Sequence, residues 1–88
     1  MDEIGIEPLG GNRYEVTVSG GGSSTVHEVT ASPGEMEHLG AATPEGLIEA
    51  SFRFLLDREP KESILRRFDL GVIATYFPEY PATIIEYL

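Results

Sequence analysis

Five of the six prolines, at positions 33, 44, 60, 78 and 81, lie in the last two-thirds of the chain and cut it into pieces that can each hold one short helix. Proline has no N–H to donate and its ring clashes with the preceding turn, so it is excluded from helix interiors but welcome in the first turn. Ser32-Pro33-Gly34-Glu35 reads as an N-cap, an N1 proline and the N3 acid of a capping box, opening a short helix over 33–39 that Gly40 stops. Thr43-Pro44-Glu45 opens a second over 44–57, and Glu59-Pro60 ends it, because the residue before proline is pushed out of helical geometry. Apolar spacing then predicts helices over 61–67 and 70–77. In these, Ile64, Leu65 and Phe68 face inward, as do Leu70, Ile73, Tyr76 and Phe77. The tail 82–88 is open to strand or helix, with a helical turn favoured after Pro81.

Ahead of the prolines the period changes from helical to alternating. Arg13 to Val18 places Tyr14, Val16 and Val18 on one face and Arg13, Glu15 and Thr17 on the other. Thr25 to Thr30 returns, with the two valines, Val26 and Val29, on opposite faces, which calls for a bulge or a half-buried face. Residues 13–31 therefore form a hairpin. Its connection, Ser19 to Ser24, is too long and glycine-rich for a tight two-residue turn. Residues 1–12 carry Ile4, Ile6 and Leu9 among glycines and a proline, which predicts a loose lead-in. The expected fold is α+β: one domain over 1–88, an antiparallel hairpin packed on three to four short helices.

The helix over 44–57 constrains this packing most. Glu45, Glu49, Arg53 and Asp57 make a polar stripe at i,i+4 spacing, and the apolar residues of 47–56 fill the remaining arc. That arc is wider than one neighbour needs. It should be met by the hairpin, by other helices and by a partner or a second copy. There is no cysteine, so neither a disulfide nor a thiolate metal site can support the core.

Fifteen acids against six bases give a net charge of −9. Such a surface repels phosphate backbones and anionic membranes, so nucleic acid and membrane are both disfavoured as partners. No apolar run approaches the roughly 20 residues needed to cross a bilayer. Met1-Asp2-Glu3 is acidic where a signal peptide would be basic, and the expected location is cytoplasmic.

The stretch from Phe52 to Tyr80, ending Tyr76-Phe77-Pro78-Glu79-Tyr80, resembles the C-terminal half of a group of short prokaryotic proteins of uncharacterised function. In that group a hairpin precedes a similar run. The resemblance covers the last third most clearly and the hairpin in outline. It implies a compact autonomous domain and brings no site residue or activity with it.

Candidate chemistry is sparse. Glu35 and His38 have the i,i+3 spacing that can chelate a metal, with His27 as a third donor, but a bundle site needs a second such motif. No serine lies in a nucleophile elbow, and the glycine run lacks the lysine and helix of a phosphate loop. Arg58, Lys61, Arg66 and Arg67 supply four of the six bases within ten positions. They either pair with Asp57, Glu59, Glu62 and Asp69 or form a cationic lip for an acidic partner segment. Tyr80 and Tyr87, flanked by prolines or acids, are the tyrosines expected to be partly exposed at an interface. These observations predict a non-enzymatic protein-interaction or regulatory module with no cofactor, self-associating or binding another protein. A metal-binding or small enzymatic domain and a nucleic-acid-linked regulator are the alternatives.

Overall fold

The computed structural model describes residues 2–88, apart from the side chains of Glu35, Met36 and His38. The architecture is α+β, with a four-stranded mixed sheet rather than a hairpin. Strands β1 (Glu3–Gly10), β2 (Arg13–Gly20) and β3 (Ser23–Thr30) form an antiparallel meander. A three-residue strand, β4 (Arg67–Asp69), lies parallel to β3 at the far edge. The helices are α1 (Pro33–His38), α2 (Pro44–Leu56), α3 (Ile73–Tyr76) and α4 (Tyr80–Thr83), with 3-10 turns at Lys61–Ser63, Leu70–Val72 and Ile84–Glu86.

Three expectations need correction. The lead-in is a full strand: Ile4 stands opposite Val18 and Ile6 opposite Val16, so the sheet face that buries the valines also half-buries both isoleucines. The glycine run is a tight turn after all. Gly20 pairs with Ser23, and Gly21 and Gly22 between them take φ of 62° and 82°. Two successive positive φ values make the turn whose twist matches a hairpin, and only glycine adopts both without strain. The segment read as a helix over 61–67 is one 3-10 turn followed by extended chain into β4.

The offset valines of β3 need no bulge, since the β2–β3 register runs unbroken from Arg13↔Thr30 to Gly20↔Ser23. Val29 faces the core and Val26 faces solvent, while His27 takes the inward position opposite Val16 at 2% exposure. The apolar slot left by the pattern is thus filled by an imidazole.

Helix α2 crosses the inner face of the sheet. Thr43 caps it, its Oγ1 accepting from the Gly46 N–H at 3.0 Å. The wide arc is covered by the chain itself: Leu47, Ile48, Ala50, Ser51, Phe52, Phe54 and Leu55 are all buried. Phe52 and Phe54 stand two residues apart on the helix and point to opposite flanks. Phe52 packs between His27 and Phe68, at ring centroid distances of 5.4 and 6.0 Å. Phe54 packs edge-on against Phe77, Tyr80 and Tyr87, at 5.9, 5.2 and 5.8 Å. Full burial of each ring contributes roughly 1.5–3 kcal/mol. Of the apolar residues of the arc, Leu56 is half-buried and the others are covered by the chain's own elements. Among the described residues no helix is long and apolar enough to span a membrane.

Candidate functional site

After α2 the chain reverses sharply. The N–H groups of Arg58 and Glu59 both donate to the Leu55 carbonyl at 2.9 Å, and Pro60 then turns extended into the 3-10 turn. Ile64 is buried, but Leu65 points outward and is 47% exposed, because extended chain alternates where a helix would have kept both inside. Segment 64–69 is fastened to β3 by the parallel β3–β4 pairing and by two further bonds. The Glu28 N–H donates to the Arg66 carbonyl at 2.7 Å, and His27 Nδ1 donates to the Leu65 carbonyl at 2.8 Å. A carbonyl can only accept, so Nδ1 carries the proton, and in the neutral ring Nε2 accepts from Thr25 Oγ1 at 2.8 Å. Asp69 then caps the next turn, its Oδ1 accepting from the Gly71 N–H at 2.9 Å, and α3 folds back beside α2.

These reversals enclose a groove of about 250 Å³. Leu55, Ile64, Phe68 and Ile73 belong to its buried lining, and Phe77 and Val72 continue the wall. Leu65 and Tyr76 also line it, and both are open to solvent, Tyr76 at 65% exposure. A helix over 70–77 with Tyr76 inward is therefore corrected: α3 stops at Tyr76 after a 3-10 start, and the ring lies outside the core.

One carboxylate lines this groove, that of Glu59. Partial burial pushes its carboxyl above the ordinary value. Among the described residues it meets no ion-pair partner. Its neighbours in sequence are committed elsewhere. Arg58 donates through Nε to Glu79 at 3.1 Å and through Nη1 to the Phe54 carbonyl at 3.0 Å. Its guanidinium carbon also lies 3.6 Å from the centroid of the Phe54 ring. Lys61 is buried, with Nζ donating to the Gly20 carbonyl at 3.0 Å beneath the β2–β3 turn and reaching Glu62 at 3.3 Å. Hydrogen bonds from their own backbone N–H groups, and then from Arg58 and Lys61, hold Glu79 and Glu62 below the ordinary carboxylate range.

Lys61 and Arg66 line one shallow recess and Arg66 and Arg67 another, both mixed with acids, while Arg58 lies apart from them. Arg58 ties α2 to the C-terminal turns and Lys61 supports the hairpin. Arg67 reaches Glu28 at 3.7 Å on the outer sheet face, and Arg66 is exposed without an ion pair among the described residues. Of the two tyrosines expected to be partly exposed, Tyr80 departs from the expectation and Tyr87 does not. Tyr80 is 1% exposed, its hydroxyl 2.7 Å from the Ser51 Oγ in the core. Tyr87 is half-buried and donates to Asp57 Oδ2 at 2.6 Å.

Of the metal candidates, His27 has both ring nitrogens engaged within the chain, while the side chains of Glu35 and His38 lie outside the described residues. Among the described residues no group of three or more His, Asp or Glu is placed to hold a metal. The outer sheet face instead carries a row: Glu7 stands opposite Glu15, Glu15 opposite Glu28, and Glu28 opposite Arg67.

No protein-family model, curated protein or solved structure was found to match the chain.

Proposed function

We propose that this domain is a non-enzymatic protein-interaction module whose docking site is the groove between the end of α2, β4 and α3. The observation that carries this reading is the pair Leu65 and Tyr76. Both are large, apolar-bodied side chains held in solvent at the mouth of an apolar recess. Folding leaves them uncovered although each would gain roughly 1.5–3 kcal/mol from full burial. A partner side chain inserted between them would supply that burial.

The groove lies just below the usual size of a small-molecule site. Sites that enclose a small molecule usually run to roughly 300–1,000 Å³. The groove, at about 250 Å³, is smaller and suits one or two apolar anchors. Tyrosine at the rim is characteristic of protein interfaces, where its ring packs and its hydroxyl stays wet.

Selection from a displayed random peptide library tests the reading. Peptides enriched on the wild-type protein should be lost on Leu65→Asp and Tyr76→Asp, both surface changes that leave the core intact. Enrichment that survives both substitutions would place any binding elsewhere and end this proposal.

A further inference from the structure

Resting on that reading of the groove, we propose that Glu59 makes the site selective for a cation beside the apolar anchor, so that the partner is a basic amphipathic segment presenting a Leu- or Phe-like side chain next to a Lys or Arg. Glu59 lines a mainly apolar wall that includes Leu55, Ile64, Phe68, Ile73 and Phe77, with Ser63 as a polar neighbour. It has no cation among the described residues, although Arg58 and Lys61 flank it closely in sequence. Those two are turned away, one onto Phe54 and Glu79, the other under the Gly20 carbonyl. The fold therefore leaves a partly desolvated negative charge with no cation beside it among the described residues.

A cation brought in by a ligand would meet that charge where water is partly excluded, so the pair is worth more than one on an open rim. Burial has already weakened the carboxylate's hold on solvent, as the upward displacement of its titration indicates. Net charge points the same way. At −9 the chain repels a second copy and any acidic segment, and attracts a basic one from a distance. Long-range attraction alone would not discriminate among acids, whereas a groove carboxylate does.

The experiment uses two synthetic helical peptides with leucines on one face and flanking lysines, identical except that the lysines of the second are acetylated. Each is titrated into the ¹⁵N-labelled protein and followed by amide shifts, with Glu59→Gln and, as a control that removes one distant charge, Glu7→Gln. The lysine peptide should bind wild type about fivefold more tightly than its acetylated twin, with shifts centred on residues 59–77. That preference should collapse towards unity in Glu59→Gln and persist in Glu7→Gln. If Glu59→Gln and Glu7→Gln reduce it equally, the selectivity belongs to the overall charge and the role of Glu59 is overturned, while binding that still requires Leu65 keeps the groove. If neither peptide shifts the groove amides, the docking reading falls with it.

Discussion

The Nδ1 of His27 stands 2.8 Å from the carbonyl oxygen of Leu65, across 38 positions of sequence. This bond, with the Thr25 hydroxyl on the opposite ring nitrogen, adds a side-chain tie to the backbone pairing that holds one side of the groove against β3. His27→Leu keeps most of the volume but strands the Thr25 hydroxyl and the Leu65 carbonyl. It should destabilise the fold by about 1–3 kcal/mol. Amide exchange in residues 65–69 should accelerate more than in β1 and β2. Uniform acceleration, or no loss in a urea titration, would show that the imidazole is merely filling space.

A second buried polar pair joins α2 to α4. Ser51 and Tyr80 share a hydrogen bond of 2.7 Å inside the core. Ser51→Ala and Tyr80→Phe should each cost about 1 kcal/mol. The double variant should cost less than the sum of the two, because removing both polar groups leaves less unpaired than removing one. Strict additivity in thermal or urea unfolding would mean the two hydroxyls do not depend on each other.

Acidification acts on the groove carboxylate in the opposite sense from most acids. Burial raises the pKa of Glu59 in the folded chain above its unfolded value. The unfolded state therefore ionises first as pH rises, and the destabilisation is complete only above the folded pKa. Glu59→Gln should raise stability at neutral pH by roughly a few tenths of a kcal/mol, with the gain vanishing below the unfolded pKa. Glu62 and Glu79, whose pKa values are lowered, contribute stability that is present above their unfolded values and lost as pH falls through the folded ones. Urea midpoints of wild type and Glu59→Gln across acidic and neutral pH would check the sign. A gain that persists at low pH would exclude ionisation as its cause.

The row Glu7–Glu15–Glu28 sets like charges directly opposite one another on the exposed sheet face. Glu28 is relieved by Arg13 at 3.9 Å and Arg67 at 3.7 Å, whereas Glu7 and Glu15 meet no cation among the described residues. Glu15→Thr should stabilise the sheet by about 0.2–1 kcal/mol at low ionic strength. The advantage should shrink as salt shortens the Debye length to about 3 Å near 1 M. An advantage independent of salt would assign it to strand preference instead.

Local chemistry was readable where the cause is local. The alternation of Tyr14, Val16 and Val18, and the Thr43-Pro44 start of α2, depend on neighbours within a few positions and appear in the structure as the sequence implies. Residues 64–68 were ambiguous for a physical reason. Ile64 and Phe68 are four apart, which suits one face of a helix and equally one face of a strand, and the deciding interaction is pairing with β3 from far upstream. Tyr80 carries flanking residues that suggest solvent, yet Ser51, 29 positions earlier, supplies the polar partner that lets it enter the core. Glu59 could not be singled out, because its distinction lies in what Arg58 and Lys61 do instead of pairing with it.

Phe52 and Phe54 engage opposite flanks of one helix, the first with the sheet side and the second with the C-terminal turns. A chain built this way has no seam. The meander cannot shed its cover without freeing Phe52, and the C-terminal turns cannot come away without baring Phe54, so α2 transmits the loss of either side to the other. Melting should follow one cooperative transition in which sheet and tail signals vanish together, and a peptide ending before residue 60 would keep its strands' pattern but lose the clamp that makes them a sheet.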